Sequence, residues 1–233
     1  MKRYLPFIII LIVLAGAVGI TVALWRRNTD SNPSNTPNST TESSVPTTSA
    51  PTASNADDLT KPNVKVNSPV VLEEYGDYQC PPCGQLYPEL KKIEAEYGTQ
   101  LRVVFRHFPL AKIHKNAIAA ARAAEAARNQ DKFLEMHDRL YLNQKAWAEA
   151  DDPRPVFVSY AGDLKLNIEQ FTQDMESSAV YLRISADQQR GAASGVSGTP
   201  TVFIDSNMVR YEATTPDGLR RAINYMLKQR AAS

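Results

Sequence analysis

The chain has 233 residues, 43% of them hydrophobic and 22% charged, with 26 Lys and Arg against 25 Asp and Glu. A formal net charge of +1 leaves no electrostatic footprint for a nucleic acid or another polyanion. Two cysteines in the whole chain exclude a framework of several structural disulfides.

Residues 1–27 open with Met1-Lys2-Arg3, run almost without a polar side chain from Leu5 to Trp25, and close on Arg26-Arg27. As a helix, that apolar run would extend about 31 Å, enough to cross the hydrocarbon core of a bilayer. Tyr4 and Trp25 fall where interfacial aromatics are expected. A cleaved signal peptide is the alternative, with Ala15-Gly16-Ala17 as a small-residue cleavage site. The apolar run continues past Ala17 through Val18-Gly19-Ile20-Thr21-Val22-Ala23-Leu24, longer than an ordinary signal core, so an uncleaved transmembrane helix is expected. Basic residues at both ends leave its orientation open. Of the 29 residues in 28–56, 23 are Ser, Thr, Asn or Pro. They cannot bury enough apolar area to offset chain ordering, so 28–61 reads as a disordered tether with a reach of roughly 30 Å. Residues 62–233 have a globular composition and suit one domain.

Val64-Lys65-Val66 is a candidate short strand. Val70-Val71-Leu72-Glu73-Glu74-Tyr75 reads as a buried strand that exits through Gly76-Asp77. From Cys83 the apolar residues Leu86, Tyr87, Leu90, Ile93 and Tyr97 recur at helical spacing, and Gly98 supplies a stop. Leu101 to Phe108 is a second strand, and strand, helix, strand at this length predicts a βαβ unit with parallel strands. His114 to Arg128 is alanine-rich and predicts a closely packed helix. Asp131 reads as the N-cap of the next, whose buried stripe is Phe133, Met136, His137, Leu140 and Tyr141. Further helices are predicted over Val156 to Tyr160, Ile168 to Met175 and Ala179 to about Ala193. Thr201 to Asp205 is a strand, Ser206-Asn207 a turn into Met208-Val209-Arg210-Tyr211, and a last helix runs from about Pro216 to Gln229.

The informative feature is Cys80-Pro81-Pro82-Cys83, placed after a strand and at the start of a helix. A thiol at a helix N-terminus meets unpaired backbone N–H groups and the positive end of the helix dipole. Both favour the thiolate, which is the reactive species. The second thiol, one turn on, can close a disulfide back onto the first. Pro81 sits where a missing N–H costs nothing and a fixed φ preorganises the helix. Zinc needs about four ligands, and beyond the cysteines only three scattered histidines remain. A purely structural disulfide would close a loop too small to stabilise much. The pattern therefore predicts thiol–disulfide exchange in a compartment outside the cytosol. His137 reads as core packing, and His107 as the end of a strand near the domain edge. Tyr75, Tyr78 and Tyr87 fit either a substrate groove or the core.

The sequence from Val64 to Gln229 resembles the DsbA-like thiol–disulfide oxidoreductases of the thioredoxin-fold superfamily. The resemblance is carried by Tyr78-Gln79-Cys80-Pro81-Pro82-Cys83 after a strand and by Pro88, five residues beyond the second cysteine, where the family's helix kinks. Gly195-Val196-Ser197-Gly198-Thr199-Pro200-Thr201 and the helical block between the second and third strands complete it. It implies an α/β thioredoxin-like fold with a helical insertion over about 112–194. It implies that Cys80 is an exposed nucleophile, Cys83 the resolving thiol and Pro200 a cis proline that sets the Thr199 backbone beside the sulfurs. It implies that Glu74, six residues before Cys80, is a buried acid able to relay the proton of Cys83. Proline at 82, where strongly oxidising relatives often carry histidine, leaves the direction of electron flow open.

The expectation for the whole chain is a membrane-tethered, monomeric, extracytoplasmic dithiol oxidase that introduces disulfides into exported proteins. It would use no metal or organic cofactor and bind no nucleic acid, and a quinone-linked membrane protein would reoxidise it. A reductase or isomerase fed by a membrane electron donor is the enzymatic alternative. A non-catalytic holdase is the alternative outside enzymes.

Overall fold

The computed structural model describes residues 68–232, all within one compact unit, Leu59–Ser233. The expected membrane helix, the tether and the candidate strand at Val64-Lys65-Val66 lie outside the described residues. Among the described residues no helix is long and apolar enough to cross a membrane.

Strand β1 (Val70–Gly76) pairs in parallel with β2 (Leu101–His107), in register from Val70 with Leu101 to Gly76 with His107. Helix α1 (Pro81–Tyr97) makes the crossover. It buries Cys83, Leu86, Tyr87, Leu90 and Ile93, contains Pro88, and ends at Gly98, whose φ of 53° suits a residue without Cβ. Strand β3 (Thr201–Ile204) lies antiparallel on the other side of β1, and β4 (Asn207–Met208) pairs with β3. The described sheet has the order β2-β1-β3-β4. Alternation along the strands sends Val70, Leu72, Val202 and Ile204 to one face. There they pack with Leu86, Leu90 and Ile93 of α1 and with Leu219 and Ile223 of the C-terminal helix α8 (Pro216–Ala231). Tyr75 and Phe203 point to the opposite face, where their rings meet edge to face at 5.6 Å.

Between β2 and β3 run α2 (Ala117–Arg128), α3 (Phe133–Leu142), α4 (Gln144–Trp147), α5 (Arg154–Asp163), α6 (Ile168–Glu176) and α7 (Ser178–Ala193). They surround a second core. Alanines of α2 are buried on several sides, which lets neighbouring helices approach closely, and Met136, Leu140, Trp147, Phe157 and Phe171 fill the space around them. Tyr78, Cys80, Cys83 and Tyr87 belong to this helical core, whereas Leu86, Leu90 and Ile93 of α1 belong to the sheet core. The reactive turn thus lies where the two cores join.

Several expectations change. Asp131 is not an N-cap. It takes a left-handed conformation, φ 58°, and Lys132 caps α3 without a side-chain bond. Helix α2 starts at Ala117 rather than His114, because His114 and Asn116 turn their side chains to other partners. The turn after β3 is Asp205-Ser206, both with positive φ, the backbone that a tight two-residue hairpin requires. Strand β4 is only two exposed residues, and Tyr211–Ala213 forms a 3₁₀ turn instead of extending it. Val209 alone packs on the sheet core, while Met208, Arg210 and Tyr211 are exposed, so the β propensity of the stretch decides little. His107 is buried rather than at an edge, with its Nε2 2.9 Å from Glu125 Oε1. Burial pushes the Glu125 carboxyl up, but His107, Arg128 and Arg183 outweigh burial and hold it at about 2.

Candidate active site

Cys80 is the N-cap of α1, with extended backbone angles and no side-chain capping bond. The turn before it is closed by the Cys80 N–H donating to the Asp77 carbonyl at 3.1 Å. The Thr199–Pro200 peptide bond is cis, and the Cys80 thiol donates to the Thr199 carbonyl at 3.3 Å. The sequence-predicted residues Cys80, Pro81, Pro82, Cys83, Thr199 and Pro200 therefore converge. Both cysteines are free thiols. Cys83 is 0% exposed and Cys80 only 4%. The expectation of an exposed nucleophile is corrected: Cys80 packs into the helical core and against the Thr199 backbone.

The two thiols are driven apart in acidity. A hydrogen bond from Cys83, joined by the Cys83 backbone N–H at the helix start, lowers Cys80 from 9.0 to about 6 against the opposing effects of burial and of Asp77. Cys83 is raised well above its ordinary range, first by burial and then as donor to Cys80. The rate of Cys80 alkylation by iodoacetamide is therefore expected to be half-maximal near pH 6. A midpoint of about 8 or higher, the range of an ordinary free thiol, would show that the helix start and Cys83 do not stabilise the thiolate.

Glu74 is 3% exposed, and its Oε1 has no hydrogen-bond partner among the described residues. Burial first, and then the charge of Cys80, raise it from 4.5 to about 8, so it carries a proton at neutral pH. When it ionises, its charge disfavours ionisation of Cys83. The aromatic candidates are packing residues. Tyr78 stacks on Phe105 at 5.0 Å and Tyr87 on Tyr141 at 5.2 Å. His137 sits among them, bonded through Nδ1 to the Tyr78 hydroxyl at 3.0 Å, and burial lowers it to about 3, so it is neutral.

Sequence reasoning missed the side chains that hold the turn. Gln144 Nε2 donates to the carbonyls of Tyr78 at 2.7 Å and Cys80 at 3.0 Å. Gln79 accepts from the Asn116 N–H and donates to the Ala148 carbonyl, each at 2.6 Å. Asn116 Nδ2 in turn reaches the carbonyls of Trp147, Ala148 and Ala150. Asp77, with 0% side-chain exposure, accepts from the N–H groups of Gln79 at 2.8 Å and Leu110 at 2.9 Å and from His114 Nδ1 at 2.7 Å. Only Asp77 left a signal in the sequence, an Asp two residues before the N–H that it caps, as in an Asx turn.

A family model described as Thioredoxin matches residues 65–225. A protein named Na(+)/H(+) antiporter NhaA 1 from Salinispora arenicola is 39% identical over 138 residues, which are 59% of this chain and 20% of that protein. The protein of the same name from Mycobacterium sp. strain KMS is 38% identical over 141 residues, 60% of this chain and 22% of its own length. The chain thus spans about a fifth of the length of these curated relatives. Among solved structures, oxidised BdbD from Bacillus subtilis superposes with a TM-score of 0.60 at 20% identity, covering 70% of this chain and 89% of its own. Oxidoreductase DsbA from Xylella fastidiosa gives 0.60 at 16% identity, with 73% and 90% covered. A thioredoxin-like oxidoreductase from Silicibacter pomeroyi DSS-3 gives 0.54 at 25% identity, with 70% and 94% covered.

Proposed function

The chain belongs to the thioredoxin family with a DsbA-like fold, and from that premise we propose that it is an extracytoplasmic dithiol oxidase working through Cys80 and Cys83. The observation that carries this reading is the divided acidity of the pair, an acidic Cys80 beside a buried, strongly protonated Cys83 and a protonated Glu74. In the oxidised chain a substrate thiolate attacks the Cys80 sulfur, the Cys80–Cys83 bond breaks, and Cys83 leaves as a thiolate. Glu74 gives that sulfur its proton. A second substrate thiolate attacks the substrate sulfur of the mixed disulfide and expels the Cys80 thiolate. The substrate leaves with a disulfide and two electrons remain on the dithiol. A low leaving-group pKa at Cys80 makes its disulfide the stronger oxidant. The Thr199 backbone beside the sulfurs offers an extended substrate segment an edge to pair with.

The remaining features of the reading follow from the sequence. Residues 1–27 anchor the chain, 28–61 tether the domain, and the domain acts as a monomer outside the cytosol on exported proteins. It needs no metal or organic cofactor, and a quinone-linked membrane protein reoxidises it. That the curated relatives carry a matching stretch within proteins named for Na(+)/H(+) antiport supports a working place beside a membrane. The test is the reduction potential of the chain in glutathione buffers. A value between about −180 and −120 mV is expected, as for strongly oxidising members of this class. A value near the roughly −270 mV of reducing thioredoxins would reverse the direction and make the chain a reductase.

A further inference from the structure

Pro81 and Pro82 place neither a charge nor a side-chain donor between the two sulfurs, so any influence on Cys80 beyond Cys83 and the helix start comes from other elements. The turn that presents Cys80 is built on Asp77, whose carbonyl receives the Cys80 N–H and whose carboxylate lies fully buried behind it. Such a carboxylate destabilises a nearby thiolate unless its charge is held by donors. Two backbone N–H groups do part of this. The third donor is His114 Nδ1, at 2.7 Å and 16% exposed. His114 is fixed in place by the segment that carries it. Leu110 is bonded to Asp77, the Ile113 and His114 N–H groups both donate to the Leu110 carbonyl, and Asn116 is bonded to Gln79 and α4.

We propose that His114 and Asp77 act as a positioning pair that sets the acidity of Cys80, and with it the oxidising strength of the Cys80–Cys83 disulfide. His114 holds the Asp77 charge away from the sulfur by hydrogen bonding it. Among the described residues, the other titratable groups facing Cys80 or its partner thiol are Cys83, Glu74 and Tyr141. The inference rests on Cys80 being the reactive thiol, and it holds for either direction of electron flow.

The test is the Cys80 thiolate absorbance at about 240 nm against pH, in the reduced full chain, for wild type, Asp77→Asn, His114→Leu and the double variant. His114→Leu should raise the midpoint, by at most about one unit, because His114 acts on the sulfur only through Asp77. Asp77→Asn should lower the midpoint, and His114→Leu should add almost nothing in the Asp77→Asn background. The same loss of thiolate stability should make His114→Leu a weaker oxidant of glutathione, by at most about 30 mV, the equivalent of a tenfold change. Loosening of the turn would instead move both single variants in one direction, and that result, or no movement at all, overturns the proposal. Should His114→Leu not fold, Asp77→Asn alone decides, because a rise in its midpoint contradicts the assignment. These midpoints do not depend on whether the disulfide oxidises or reduces proteins, so a failed oxidase assay with opposite shifts leaves this inference standing.

Discussion

Cys83→Ser should hold its substrate covalently, whereas Cys80→Ser should do no exchange at all. The first variant keeps the acidic thiol at the helix start but has lost the sulfur that would displace the substrate. Reduced Cys83→Ser, given a disulfide-bearing protein, is expected to accumulate a mixed disulfide through Cys80, visible on a non-reducing gel and released by dithiothreitol. Cys80→Ser retains only a thiol that is 0% exposed and held far from its thiolate form, so no adduct should form. Turnover should fall by several orders of magnitude in both, as when any member of a catalytic unit is removed. An adduct forming equally well in Cys80→Ser would reverse the assigned roles. Undiminished suppression of aggregation by a redox-dead Cys80→Ser would favour the holdase.

Glu74→Gln should make the folded chain more stable and the enzyme slower. Burial and Cys80 raise the folded carboxyl to about 8 from 4.5, so between those values the folded chain keeps a proton that the unfolded chain has released. Stability must therefore fall as pH rises through that window and level off above about 8. The full difference amounts to on the order of 5 kcal/mol, large against the 5–15 kcal/mol or so that holds a typical domain. The variant is expected to gain almost nothing near pH 4.5, several kcal/mol near pH 8.5, and to lose the wild type's slope between them. Urea denaturation of the reduced proteins at those two pH values measures this. The rate at which Cys83 enters or leaves a mixed disulfide should drop, because Glu74 is the carboxyl whose charge acts on that sulfur. A gain that does not depend on pH would mean that Glu74 is already ionised in the folded chain, and an unchanged exchange rate would remove it from the proton path.

The central βαβ unit was legible because its signals are local and agree with one another. Val70 and Leu72 are wholly buried, the apolar residues of α1 recur at helical spacing, and Gly98 takes the positive φ that ends the helix. The dithiol was legible through motif and spacing, the cis proline and the buried acid only through the resemblance to a family. The supports of the turn were not. Gln144, Gln79 and Asn116 act through side-chain amides on backbone carbonyls, and such bonds leave no periodicity in a sequence. Gln144 reaches Cys80 across 64 positions, and His114 reaches Asp77 across 37. Asp131 and the stretch after Met208 were misread for the opposite reason. Their residue types suggest a cap and a strand, but neighbours that only the fold supplies decide otherwise.

Because Cys83 and Tyr87 of α1 pack in the helical core while Leu86, Leu90 and Ile93 pack in the sheet core, the helices from α2 to α7 are not trim that protein engineers can discard. A miniaturised version consisting of sheet, α1 and α8 would leave the Tyr78 and Cys80 carbonyls without Gln144 and Cys83 open to water. Even with its strands still in register, such a pared-down protein would carry cysteines that revert towards ordinary thiols. Chemical competence in this chain is thus a property shared between two halves.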